Sequence, residues 1–309
     1  MFPIIPANSV AADSGNSEGI FGFGRSGGPG AWVKSSLSNL VSNAGVIATD
    51  TVGVGTARKS VAACEYGGDK GIFGYGNTGS YVSTTNLVSD AGVISTDVTG
   101  VGTGRYDLAA CSYGGDKGIF GFGTYPDTAV TNLVSNAGVV ATDTNGVGTA
   151  RQQLAACEFG GDKGIFAYGY TATYVSMSNL VSNTGVVSTD VTGVGTARAQ
   201  PAACGYGGDK GIFGYGYNGS PPPPAVRLSM TNLVSNAGVV ATDTAGVGTA
   251  RSGPAACEYG EDKGIFGFGH DGNVPAVSMS NLVSNAGVVA SDTAGVGTAR
   301  YSLAACSFN

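Results

Sequence analysis

Residues 151–169 read RQQLAACEFGGDKGIFAYG, and this pattern sets the reading of the whole chain. Near-copies stand at 58–76 (RKSVAACEYGGDKGIFGYG), 105–123 (RYDLAACSYGGDKGIFGFG), 198–216 (RAQPAACGYGGDKGIFGYG) and 251–269 (RSGPAACEYGEDKGIFGFG), with a shortened one, RYSLAACSFN, at 300–309. The arginines that open them, Arg58, Arg105, Arg151, Arg198, Arg251 and Arg300, lie 47, 46, 47, 53 and 49 residues apart. Fixed-period self-similarity at this length is the mark of a repeat architecture whose unit has room for four short strands.

Each unit divides on its turn signals. LAAC (154–157) reads as a first strand and GIFGYG (71–76) as a second, joined by Gly-Gly-Asp-Lys, where glycine supplies the positive φ of a tight turn. NLVSNAGVVATD (132–143) reads as a second hairpin, its arms rich in Val, Leu and Thr and its Asn-Ala-Gly a three-residue loop. A linker of the type TxGVGTAR leads to the next arginine. A sheet of this kind cannot bury both faces alone and must stack on its neighbours. Second strands begin at Gly19, Gly71, Gly118, Gly164, Gly211 and Gly264. The first lacks a full strand before it, and the last Arg-led strand, at 300–308, lacks one after it. The two ends complement each other. The sequence therefore predicts an all-β, six-bladed β-propeller of four-stranded antiparallel blades, closed by pairing of its N- and C-terminal segments. In this reading residues 1–17 are an arm, 18–309 form one domain, and one blade is shared between 18–57 and 300–309. A faint echo of the first strand at Val10-Ala11-Ala12-Asp13 offers another closure, which would free the C-terminal strand to pair with a second molecule.

The Arg at the head of strand one (Arg151), the small apolar pair Ala155–Ala156 and the Gly-rich aromatic strand Phe166-Ala167-Tyr168-Gly169 resemble the kelch repeat. The resemblance runs from about residue 18 onward and implies a propeller. It departs in two places: the usual double glycine is split into Gly-Tyr-Gly or Gly-Phe-Gly, and the late tryptophan is missing. The wording of the repeat is also similar to kelch-like proteins of marine bacteriophages. That likeness implies a virion-associated or extracellular structural protein.

Composition narrows the function classes. A net charge of −6 argues against a nucleic-acid partner, which needs a basic stripe. The 54 glycines argue against long helices, and 42% hydrophobic residues argue against disorder. Cys64, Cys111, Cys157, Cys204, Cys257 and Cys306 recur at one repeat position with no CxxC and no accompanying His. They read as small buried side chains, not disulfides or zinc ligands. The opening MFPIIPANSVAADSG has neither the basic start of a signal peptide nor the apolar run of a membrane span.

Catalytic chemistry finds little support. The single His, His270, has no nucleophile elbow beside it, and no calcium-loop pattern is present, so no catalytic residue, metal or cofactor is expected. The six arginines read as a structural ring paired with backbone carbonyls or with the repeat aspartates Asp50, Asp97, Asp143, Asp190, Asp243 and Asp292. The Asp-Lys pairs of the GGDK turns are solvated and worth little. Variation gathers instead between strands two and three, where the copies differ in length. In a meander these segments emerge on the face opposite the GGDK and NAG turns. Trp32, Tyr81, Tyr125, Tyr170, Tyr174, Tyr217 and His270 lie there, residue types suited to anchoring a protein or stacking on sugar. Pro221–Pro224 form a stiff spacer. The expected function is a non-enzymatic binding or structural protein whose partners are other virion or assembly subunits or a surface glycan. The alternatives are a carbohydrate-active enzyme using the central cavity, and a subunit linked by terminal strand exchange.

Overall fold

The computed structural model of the chain describes residues 17–28, 31–219, 226–273 and 276–309. Residues 1–16, with the echo at Val10–Asp13, and the tetraproline 221–224 lie outside the described residues. The chain is all-β, with six similar three-stranded antiparallel sheets. Unit 2 is typical: an inner strand Ala62–Tyr66, a middle strand Lys70–Gly74 and an outer strand Thr85–Val88. In unit 1 the inner strand is the C-terminal Ala304–Phe308, which pairs with Glu18–Gly22 in the register Glu18↔Phe308 to Gly22↔Ala304. The two ends of the chain thus share a sheet, and units 2 to 6 follow in sequence order. Unit 3 has its inner strand at Ala109–Tyr113, unit 4 at Ala155–Phe159, unit 5 at Ala202–Tyr206 and unit 6 at Ala255–Tyr259.

The expectation of four strands per unit needs correction. The fourth segment is held by two isolated bridges, Val41↔Ile47 and Ser38↔Thr51 in unit 1, with equivalents in every other unit. Residues 38–41, four on the outer strand, therefore face 47–51, five on the fourth segment, and this extra residue interrupts the ladder. The Asn39 side chain fills the break, donating from Nδ2 to the Ala48 carbonyl at 3.0 Å.

Why these sequences stack follows from their alternation. In the inner strand, Ala62, Cys64 and Tyr66 face a neighbouring sheet, while Ala63 and Glu65 point the other way and are half-buried. The middle strand is buried on both faces apart from its first residue, as a strand between two sheets must be. Units interlock here. A Cβ on Gly118 would lie 2.5 Å from Cys64 Sγ of the preceding unit, and one on Gly121 would lie 2.8 Å from the Phe166 ring of the next. Unit 4 has Ala167 in place of that second glycine, and its Tyr168–Phe213 ring pair is 5.4 Å apart against 5.1–5.2 Å in the other five. All six thiols are buried and free, as the repeat positions implied.

Three complete circuits of backbone hydrogen bonds run from unit to unit. At one mouth Ser60 donates to Ser302, Asp107 to Ser60, Gln153 to Asp107, Gln200 to Gln153, Gly253 to Gln200 and Ser302 to Gly253, at 2.8–3.3 Å. At the other mouth Gly67, Gly114, Gly160, Gly207, Gly260 and Asn309 donate to Asp116, Asp162, Asp209, Asp262, Ser17 and Asp69 at 2.7–3.1 Å. On the same side as the first, the glycine that follows the aromatic residue of each middle segment donates to the carbonyl of the next unit's arginine, from Gly24→Arg58 round to Gly269→Arg300. Each circuit returns to its start through the joined termini.

The GGDK turn has one imperfect copy. Its first two residues adopt positive φ, and in unit 6 the second is Glu261 at φ 72°. A non-glycine residue in that region is strained by about 1–2 kcal/mol, partly offset by the freer unfolded glycine chain. Glu261→Gly is therefore expected to stabilise the protein by about 0.5–1 kcal/mol, read as a raised denaturant midpoint at unchanged slope. An unchanged or lowered midpoint would contradict the assignment.

Candidate functional site

The repeated charges are consumed by the framework. All six arginines are buried, with exposures of 0–2%. Arg251 makes the full set of contacts. Its guanidinium donates from Nε to the Phe268 carbonyl at 2.8 Å, from one terminal nitrogen to the Thr249 carbonyl at 3.1 Å, and from the other to Asn281 Oδ1 at 2.7 Å. It lies 4.0 Å over the Tyr215 ring of the preceding unit and 3.9 Å from Asp292. Every other arginine repeats the ring contact, Arg58 on Phe23, Arg105 on Tyr75, Arg151 on Phe122, Arg198 on Tyr168 and Arg300 on Phe268, at 3.9–4.9 Å. Burial lowers the guanidinium pKa, to about 10 at Arg58, Arg151 and Arg300, with the facing aspartate opposing, so the groups stay charged at neutral pH.

The aspartates tie the linkers down. Asp97 accepts from the backbone and hydroxyl of Thr56 in the preceding linker, and Asp143, Asp190, Asp243 and Asp292 accept likewise from Thr103, Thr149, Thr196 and Thr249. Asp50 closes the set with Thr298, 248 residues away. Burial pushes each carboxyl up, but bonds from Thr and Asn and the arginine charge outweigh it and leave the pKa lowered. The asparagines Asn39, Asn86, Asn132, Asn179, Asn232 and Asn281, all fully buried, link Asp to the broken fourth segment. Sequence reasoning passed over them, although an Asn opening an apolar strand in every repeat was the signal.

The inner strands line a central channel that opens to about 270 Å³ at the GGDK mouth, 50 Å³ midway and 120 Å³ at the other mouth. The residue after each cysteine faces it. Around the circle these are Ser307, Glu65, Ser112, Glu158, Gly205 and Glu258, so a carboxyl stands on every second unit. Burial, then the nearby Glu65 and Asp162, pushes Glu158 up to about 8. Burial, then Glu65 and Glu158, pushes Glu258 well above the ordinary carboxyl range. The Glu258 carboxylate fills the space a side chain at Gly205 would occupy. This set was also missed, and the alternation of Glu with Ser or Gly after AAC would have found it.

The seven loop residues singled out from the sequence fall into three groups. Tyr81 stacks on Tyr106 at 5.1 Å and meets Tyr125 at 4.2 Å; Tyr125 is 63% exposed. Tyr174 lies between Tyr170 at 5.3 Å and Tyr217 at 5.6 Å, and the Tyr217 hydroxyl donates to Gln153 Oε1 at 3.0 Å. Trp32 packs edge-on against Tyr301 at 5.0 Å and His270 at 5.9 Å. All but Tyr125 are half-buried by these contacts. The groups occupy units 2–3, 4–5 and 6–1, and two of them rest on short ribbons, Arg25–Ser26 with Val33–Lys34 and Tyr217–Asn218 with Val226–Arg227. The opposite rim carries Val46, Val93, Val139, Val186, Val239 and Val288, each 64–65% exposed and alike in every unit.

The channel carboxyls set a pH dependence. A carboxyl whose folded pKa is raised contributes stability that is complete below its unfolded pKa of about 4.5 and is lost as pH rises toward its folded value. For Glu158 that window runs up to about 8. The framework aspartates, with lowered pKa values, act only at more acidic pH. Between pH 5 and 9 the wild-type Tm is therefore expected to fall more than that of Glu158→Gln, whose Tm at pH 9 is the higher. Parallel profiles would contradict this.

Comparison with known protein families returns no matching family model, and no curated protein matches the chain.

Proposed function

We propose that the chain is a six-bladed β-propeller acting as a non-enzymatic recognition scaffold, with the loops between middle and outer strands engaging a partner. The observation that carries this reading is the division of labour between charges and loops. The repeated Arg, Asp and Asn side chains are occupied in holding units together, while the aromatic residues that differ between units gather in three groups on one face. Rigid repeats bearing unlike loops are the usual arrangement of binding proteins, and clustered Tyr and Trp are efficient anchors. The resemblance to phage kelch-like proteins makes a virion or extracellular setting, and a subunit or surface glycan as partner, the consistent choice.

A second reading rests on the channel glutamates. A carboxyl held protonated near neutral pH suits a general acid, and a 270 Å³ widening beside it has room for part of a sugar. Against this, the three glutamates stand at one repeat position, and burial pushes both Glu158 and Glu258 toward the neutral form, whereas glycoside hydrolysis needs one carboxyl protonated and one ionised.

One panel separates the two. Tyr125→Ala with Tyr81→Ala, and Tyr174→Ala, are compared with the rim control Val139→Ser and with Glu158→Gln for binding to an arrayed glycan and virion-protein set and for release of sugar. The scaffold reading expects binding reduced at least tenfold in the loop variants, unchanged in the other two, and no sugar released. Sugar release abolished by Glu158→Gln would overturn it in favour of the enzyme.

A further inference from the structure

Of the fifteen Lys and Arg residues, six are framework arginines and five are turn lysines, each paired with the Asp before it. The four that remain, Arg25, Lys34, Lys59 and Arg227, have no place in the repeat, yet they meet at one corner of the loop face. Arg25 and Lys34 are directly opposite in the ribbon of unit 1, a like-charge pairing that is unfavourable by itself. Lys59, on the adjoining unit, feels both charges. Arg25 lies 4.1 Å over the Tyr301 ring and 5.2 Å from the Trp32 ring, and its Nε is buried without a hydrogen-bond partner. From the far side Arg227 donates to the His270 carbonyl at 3.0 Å and sits 3.0 Å from His270 Nδ1. Burial, then Arg227, lowers the His270 pKa, so the ring accepts that bond as neutral imidazole.

Among the described residues, the carboxylates facing this group are Asp107, which feels Lys59 and Arg25, and Asp271, beside His270. Asp107 is spoken for by Ser60 and Gln153, and burial raises its pKa, which weakens it as a counter-charge. In a chain of net charge −6, every cation free of the framework has thus been placed around the only Trp and the only His. Cations collected against like-charge repulsion call for an anion, and the part-exposed ring of Trp32, seated on the buried Tyr301, calls for an apolar face beside it.

We propose that this corner binds a carboxylated saccharide, its carboxylate met by Arg25, Lys34 and Lys59 and its ring carried against Trp32. The inference rests on the loop-face reading above and names its ligand class. It commits to sugar and carboxylate together: a neutral sugar leaves the cations unpaired, and a bare anion leaves the aromatic surface unused. Binding is expected to weaken with salt, because Arg25, Lys34 and Lys59 are part-exposed.

Trp32, as the sole tryptophan, is a built-in reporter. The full chain is titrated with N-acetylneuraminic acid, glucuronic acid, glucose, acetate and sulfate, following Trp fluorescence. At least one of the two acidic sugars is expected to shift the signal saturably, at tenfold lower concentration than glucose, acetate or sulfate. Lys59→Gln and Lys34→Gln, which leave the aromatic packing intact, are each expected to weaken it at least threefold, and 0.5 M NaCl likewise. A response to sulfate or acetate equal to that of the acidic sugars would overturn the sugar assignment, and no acidic-sugar preference at all would overturn the site. If the site fails while the Tyr81/Tyr125 or Tyr174 variants still lose their partner, the loop-face reading survives without it; if those variants also bind normally, both fall.

Discussion

The sheet shared by Ala304–Phe308 and Glu18–Gly22 is the contact on which the other arrangements depend. Without it each hydrogen-bond circuit is a line with two open ends: Ser302, Asn309 and Arg300 supply the closing partner in all three. The same join brings Thr298 to Asp50 and places Arg300 over Phe268. A stack of repeats that closes on itself leaves no terminal unit with a bare apolar face, so no special capping unit is required.

Between units the energetics are those of close packing plus a buried cation. Glycine at two positions of the middle strand lets Cys64 and Phe166 approach the backbone of the unit between them, and each arginine then covers the aromatic ring of the preceding unit. Those aromatic residues, among them Tyr75 and Tyr215, hold φ near 63–64°, an unfavourable conformation for a bulky residue. At Tyr75 the placement is compensated by burial, by Arg105 of the next unit stacked on the ring, and by Arg58 of its own unit, whose Nε donates to the Tyr75 carbonyl. The Gly-Tyr-Gly that sets this chain apart from the kelch pattern is therefore the piece that seats the arginine.

Much of this was legible in the sequence because the repeat states each contact six times. Unit number, strand order, the joined termini and the Gly-bearing turns follow from spacing and turn chemistry. The fourth strand was misread because NAGVVATD has strand composition, yet the side chain of Asn39 occupies a carbonyl that a ladder would use. The channel glutamates escaped notice because attention to what the copies share hides what alternates between them. The corner around Trp32 was out of reach for another reason: Arg25, Lys59, Arg227 and His270 come from four segments that only closure of the ring brings together.

Hydrogen–deuterium exchange of the C-terminal strand tests closure most directly. If the two ends of the chain form one sheet within the molecule, amides of Ala304–Phe308 exchange as slowly as those of the equivalent Ala62–Tyr66, at every protein concentration. Fast exchange confined to the C-terminal strand, or protection that appears only as concentration rises, would contradict the closed ring.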